Sequence, residues 1–204
     1  MEGARSLLLA SNSPRRIELL RAAGFQFEVV SPGIDERFDV DLTLRELTAF
    51  NALRKGMAIA QKNPRQVVLA ADTLVALGHG VIGKPLDLAD ARKILRRLSG
   101  RTHEVCSAVF IAHRVARKST LFHEISHVRF RRLTRASIDN YIAKVNPLDK
   151  AGAYAAQGFG AEIIEEIDGS FTNVVGLPME KTIAALAEFG LHPVERKRDR
   201  LPSG

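Results

Sequence analysis

Leu7-Leu8-Leu9-Ala10-Ser11-Asn12-Ser13-Pro14-Arg15-Arg16 joins an apolar run to a polar turn and two adjacent guanidiniums. The apolar half reads as a buried strand from Ser6 to Ser11, and Ser13-Pro14 reads as the start of a helix. Ser13 can accept from a free first-turn N–H as N-cap, and proline suits the first helical position. The helix extends to about Ala23, where Gly24 ends it, and Phe25 to Val30 reads as the next strand. At such a strand-to-helix junction the unbonded N–H groups carry partial positive charge, and Arg15 and Arg16 add planar forks that match phosphate oxygens. Two readings stay open on these residues alone. One is an anion site for a phosphate-bearing ligand, built from Ser11, Ser13, Arg15 and Arg16; the other is a capped helix with solvated arginines.

Further along, Thr43-Leu44-Arg45-Glu46 forms a capping box for a long helix. Leu44, Leu47, Leu53, Met57 and Ala60 keep its apolar period, so Lys55 lies off that stripe, where a lysine is usually solvated. Gln66 to Ala71 reads as a second buried strand ending at Asp72-Thr73, continued by Leu74 to Leu77, a Gly78-His79-Gly80 turn and a return through Val81-Ile82. That places Asp72 at a strand's carboxyl end, where ligand-binding residues of open α/β sheets gather. A helix from Asp87 to Leu98 follows, then a long hairpin from Thr102 to Ala112 and from Ser119 to Leu133. An amphipathic helix through Ile138, Tyr141, Ile142 and Val145, a glycine-punctuated stretch from Asp149 to Gly160, a strand from Glu162 to Ile167 and a helix ending at Phe189 complete the pattern. Strands alternating with helices define an α/β class.

Composition narrows the function classes. The 204 residues, 46% of them hydrophobic, suit one domain over 1–190 with a basic tail over 191–204, mixed in charge and frayed. Cys106 is the only cysteine, which excludes an internal disulfide and a thiolate metal cluster; within its apolar surroundings it reads as core. No apolar run is long enough for a signal peptide or a membrane span, so a soluble, cytoplasmic protein is expected. The net charge of +7 sits mainly between His113 and Arg135, where Arg114, Arg117, Lys118, Arg129, Arg131, Arg132 and Arg135 face Glu124 alone. In His127-Val128-Arg129-Phe130-Arg131 the charges alternate with apolar residues, as on the wet face of a hairpin. With no zinc-finger spacing and no ribonucleoprotein signature beside it, a nucleic-acid partner is not expected. Gly78 to Lys84 has the spacing of a P-loop, but Pro85 has neither the hydroxyl nor the N–H that the next position requires. Lys84 remains a candidate phosphate contact.

Ser11 to Arg16, Asp35-Glu36, Lys55, Ala71-Asp72-Thr73, Gly83-Lys84-Pro85, Leu98 to His103, Asp149 to Tyr154 and Asn173 to Pro178, taken in order, resemble the Maf family of nucleotide pyrophosphatases. The resemblance runs from about Leu7 to Gly190. It implies a twisted mixed sheet in two lobes around a cleft, similar to the inosine triphosphate pyrophosphatase architecture, commonly as a homodimer. It also implies hydrolysis of a nucleoside triphosphate to a monophosphate and pyrophosphate with a divalent metal, Mg²⁺ or Mn²⁺. Arg15, Arg16, Lys55 and Lys84 would neutralise phosphate oxygens, and Glu36 and Asp72 could hold the metal. In the family the aspartate matching Asp72 takes the proton of the attacking water; base, metal ligand or both stay open for it here. Arg15, Thr73 and Gln157 match the family's dTTP/UTP group, and the Gln157 amide can pair with the edge of uracil or thymine. The alternatives are the family's 7-methyl-GTP group and a non-enzymatic septum-formation or nucleic-acid-binding regulator acting through the basic hairpin.

Overall fold

Leu7-Leu8-Leu9-Ala10 is buried on both faces and pairs in parallel with Val67-Val68-Leu69-Ala70, which is why both runs are continuously apolar instead of alternating. The computed structural model describes residues 6–38 and 41–194. Its elements are β1 (Leu7–Ala10), α1 (Pro14–Ala22), β2 (Glu28–Val29), α2 (Leu44–Ala60), β3 (Val67–Leu77), β4 (Gly80–Ile82) and α3 (Leu88–Leu98), then β5 (Thr102–His113), β6 (Lys118–Phe130), α4 (Arg135–Lys144), β7 (Ile164–Asp168), α5 (Phe171–Val175) and α6 (Met179–Glu188). Short 3-10 turns at Ala151–Ala153 and Gly158–Glu162 lie between α4 and β7. The basic tail falls mostly on residues 195–204, outside the described residues.

The strands form one mixed sheet in the order β2-β1-β3-β5-β6-β7, with β4 also on β3. β3 pairs with β5 from Val68↔Ala112 to Ala76↔Glu104. Its other edge takes β1 up to Ala70 and β4 from Val75 onward. Ala71 to Leu74 are therefore bare on that edge, and the cleft opens there. The sequence reading ended a strand at Asp72; instead Asp72 lies in the middle of an eleven-residue strand, because β5 supplies an unbroken ladder past it. The strand expected over Phe25 to Val30 shrinks to Glu28–Val29, an edge pair whose side chains are exposed. Gly78-His79-Gly80 turns a tight hairpin closed by Leu77↔Gly80, so no helix follows a phosphate loop there.

Three cores hold the sheet. Around β1, β3 and β5, α2 packs Ala52, Ile59 and Ala60 on one face, while Leu20, Leu186 and Phe189 from α1, α6 and its C-terminal end cover the other. The third core joins Val105, Val128, Phe130 and Ile164 to Leu95 and Leu98 of α3 and to Ile138 and Tyr141 of α4. The basic hairpin is not as charged in space as along the chain. β7 lies beside β6, and Arg129 meets Glu166 at 2.8 Å and Glu165 at 3.6 Å.

His103 sits inside the third core, 2% exposed, its Nε2 2.8 Å from the Tyr154 hydroxyl and its ring edge-on to Phe130. Burial holds its imidazole at about 4, below the ordinary 6.5. Between those values the unfolded chain binds the proton that the folded chain refuses, so stability rises with pH across that window and is lost as pH falls. The expected loss from pH 6.5 to pH 4 is about 3 kcal/mol at most from this group. Urea midpoints measured across the window should slope for the native chain and flatten in His103→Gln.

Candidate active site

α2 presents a different stripe inward than its leucines suggest. Thr48, Asn51, Ala52, Lys55, Gly56 and Ile59 are buried, whereas Leu53 is on the exposed side. The reason is a close approach: a Cβ on Gly56 would stand 2.3 Å from the Phe110 ring and 3.2 Å from Ala70, so only glycine lets the helix settle onto β3 and β5. That seating carries Lys55 down to Asp72. The expected solvated lysine is 7% exposed, with Nζ 2.6 Å from Asp72 Oδ1 and 2.8 Å from Glu36 Oε1. Asn51, one turn earlier, accepts from Arg37 N at 2.9 Å and donates to Arg37 O at 3.1 Å, and Arg54 donates to Asp35 O. These clamps fix the loop that brings Glu36 to the same ammonium.

Lys84, from the turn after β4, reaches the same Glu36 oxygen at 3.1 Å, giving the chain Lys84–Glu36–Lys55–Asp72. Burial would raise the Glu36 carboxyl, but Lys55 and then Lys84 outweigh it and hold it at about 2. Asp72 goes the other way: desolvation raises it, and Lys55 offsets only part. Two neighbouring carboxylates are thereby set apart in proton affinity, which is a mark of working sites. Asp72 Oδ2 is buried and has no hydrogen-bond partner among the described residues.

Arg16 faces inward. Its Nε donates to Gly176 O at 2.8 Å, Nη1 to Ala71 O at 2.8 Å and to Ser11 Oγ at 3.3 Å, and Nη2 to Thr73 Oγ1 at 2.9 Å. The Ala71 carbonyl is on the bare edge of β3, so Arg16 replaces a missing strand there. Thr73 Oγ1 also bonds Ser107 Oγ at 2.8 Å, and Ser107 donates to Asn173 O. Ser13 makes no side-chain cap; its own N–H donates to Ser11 Oγ at 3.2 Å, and its hydroxyl has no bond among the described residues. Arg15 crosses the cleft to Asp149.

Ser11, Ser13, Arg15, Arg16, Glu36, Lys55, Thr73 and Lys84 line a cavity of about 360 Å³. Asp72, 1% exposed, is not in its wall and meets it through Lys55. Ser11, Ser13, Arg15, Glu36, Lys55 and Lys84 supply the cavity's polar lining; Val75, Val105, Tyr154, Ala156 and Val174, which belong to the third core or pack against it, supply the apolar lining. Gln157 is not in the wall; it precedes the 3-10 turn one residue past Ala156. Sequence reasoning missed Asn51, since a lone buried amide has no spacing signal, and gave no individual role to Lys150, Tyr154 or His103 within the motifs that contain them.

A cleft in an α/β sheet that combines cations and paired carboxylates with an apolar lining defines a site for a polyanion with an apolar head. The family model of the Maf-like protein matches residues 6–189, and the chain belongs to that family. It is 43% identical to a dTTP/UTP pyrophosphatase of Bacillus pumilus, covering 92% of this chain and 98% of the relative. A dTTP/UTP pyrophosphatase of Symbiobacterium thermophilum is also 43% identical, over 91% and 95% of the two chains. Among solved structures, the Staphylococcus aureus Ham1 protein is similar at a TM-score of 0.48 and 16% identity, covering 91% of this chain and 97% of that one.

Lys55→Met leaves two carboxylates facing each other around an apolar stem. Removing one partner of a buried ion pair costs about 3 to 5 kcal/mol, and Lys55→Met is expected near that range by urea denaturation. The double variant Lys55→Met/Asp72→Asn should lose less, because the stranded buried charge is gone.

Proposed function

We propose that the chain hydrolyses dTTP and UTP to the nucleoside monophosphate and pyrophosphate, the activity for which its relatives at 43% identity are named. The observation that carries this reading is the Lys84–Glu36–Lys55–Asp72 chain, whose first three members line a cavity of nucleotide size while Asp72 lies buried behind Lys55. The family's divalent cation, Mg²⁺ or Mn²⁺, is part of the proposal, and the donor set fits it. Asp72 Oδ2 is buried and unpartnered among the described residues, and Glu36 spends only Oε1 on its lysines. Mg²⁺ takes one or two carboxylates and fills the rest with phosphate oxygens and water, so a cluster of three protein ligands, absent among the described residues, is not required. Bound by Glu36 and Asp72, the cation would supply charge neutralisation on the phosphate oxygens.

The protein's own groups do the rest. Asp72 accepts a proton from the water whose oxygen attacks the α-phosphorus; the bond from that phosphorus to the bridging oxygen breaks, and pyrophosphate leaves with the bonding electrons. Lys55 holds Asp72 in place and balances its charge. Lys84 and Arg15 neutralise the departing oxygens, and the serines of the Ser11-Asn12-Ser13 turn face the phosphates. Arg16, with four of its five donors held by protein acceptors, shapes the wall and aims Thr73. The apolar lining takes the base, with Thr73 beside it and Gln157 reading the uracil or thymine edge from just beyond the wall. A single catalytic unit over 1–190, a homodimer and a cytoplasmic location complete the proposal. No helix among the described residues is long and apolar enough to cross a membrane.

Asp72→Asn is expected to lower kcat at least about 100-fold, the lower range for general acid–base catalysis, with pyrophosphate and no orthophosphate released by the native enzyme. Wild-type turnover in that variant would remove Asp72 from the chemistry. In competition, dTTP should be consumed ahead of 7-methyl-GTP; the reverse order would reassign the base-binding part of the cavity.

A further inference from the structure

Arg15 and Asp149 are 134 residues apart in the chain and stand on opposite walls of the cleft. Arg15 Nη1 donates to Asp149 Oδ2 at 2.9 Å and Nη2 to the Asp149 carbonyl at 3.2 Å. The other carboxylate oxygen, Oδ1, receives Lys150 Nζ at 2.5 Å, and Lys150 also donates to Asn146 O at 2.7 Å. Arg15, Asp149 and Lys150 all line the cavity. A guanidinium N–H on one carboxylate oxygen and an ammonium on the other are the charge-assisted donors with which proteins also hold a phosphate group.

We propose that Asp149 is an internal stand-in for a substrate phosphate, holding Arg15 and Lys150 in a phosphate-binding geometry and exchanging with the incoming polyphosphate. This makes Lys150 a substrate-binding residue, and it rests on reading the cavity as a polyphosphate site. The exposures fit an exchangeable contact. The Arg15–Asp149 pair is 22% and 44% exposed at its side chains, whereas the Lys55–Asp72 pair is 9% and 1%. A partly exposed pair is worth little in stability and opens more readily than a buried one. A triphosphate tail carries several negative charges against the single charge of Asp149, so it wins both cations when it arrives. When pyrophosphate leaves, Asp149 recaptures them and closes the two walls on each other. The carboxylate thus weakens anion binding in exchange for faster release of product.

The test is calorimetric titration of the full chain with inorganic tripolyphosphate, paired with dTTP kinetics. Asp149→Asn should bind tripolyphosphate about fivefold more tightly, the fold-change for losing one partly exposed neutralising charge. Its KM for dTTP should fall, its kcat should fall, and inhibition by pyrophosphate should strengthen. Lys150→Gln, with Asp149 intact, should weaken tripolyphosphate binding by a similar factor. A purely structural tie between the walls predicts the opposite sign for Asp149→Asn, and weaker or unchanged binding there overturns the proposal. Should Asp149→Asn fail to fold, unchanged tripolyphosphate affinity in Lys150→Gln overturns it alone. A native chain that binds tripolyphosphate but turns over neither dTTP nor UTP would refute the proposed activity and leave the exchange testable.

Discussion

One buried ammonium organises the site. Lys55 Nζ stands between Asp72 of a central strand and Glu36 of a loop, and neither carboxylate has another cation as close. Desolvating a lysine beside two acids is costly unless every partner is in reach, and the surrounding residues arrange that. Gly56 removes the side chain that would keep α2 off Phe110 and Ala70. Asn51 mimics a peptide bond toward Arg37 and so anchors the Glu36 loop to the turn of α2 before Lys55. Glycine, amide and lysine lie within six residues of one helix, which makes the site's charge geometry a property of that helix's seating.

The cations of the cleft fall into two kinds. Arg16 and Lys55 are buried, Arg16 donating to carbonyls and hydroxyls and Lys55 to carboxylates. Both line the cavity, with most of their donors held by protein acceptors. Arg15 and Lys84 bond only to carboxylates, or to the backbone next to one, and lie partly open to solvent. A polyanion can recruit these by substituting for a carboxylate that they already hold. Adjacent arginines in the sequence thus have unlike duties, set by which side of α1's first turn each one faces.

Much of the fold was legible because hydrophobic runs and caps are local. Leu7-Leu8-Leu9-Ala10, the Thr43–Glu46 box and the long hairpin are each specified within a dozen residues, and each forms as the pattern requires. What was not legible depends on neighbours distant in sequence. Asp72 is mid-strand because β5 continues alongside it; Arg129 is neutralised because β7 brings Glu166 to its flank. The inward stripe of α2 departs from its apolar pattern for the same reason: that face is chosen by Asp72, Phe110 and Arg37, while its leucines partly face outward. The candidate site residues were found by family resemblance more than by pattern, and the structure gathers all of them except Gln157 into one cavity wall or the strand beneath it.

The bare stretch of β3 explains why the cleft is where it is. A central strand with Ala71 to Leu74 unpaired on one edge has backbone groups that must be satisfied or solvated. β1 stops at Ala10 because the chain must turn at Ser11 into α1, and β4 cannot start before Gly80 because it returns from a tight turn. The gap between them is filled on one side by the Arg16 guanidinium on the Ala71 carbonyl and elsewhere by the cavity itself. Asp72 and Thr73 are the two polar residues of β3, and both fall within that gap. Their side chains point to opposite faces, as alternation along a strand requires. Asp72 therefore meets α2 and its lysine, while Thr73 meets Arg16, Ser107 and the Gly176 carbonyl. A two-residue polar step in an otherwise apolar strand is enough to give the cleft a charged side and a hydroxyl side, because the sheet withholds a neighbour at that one point.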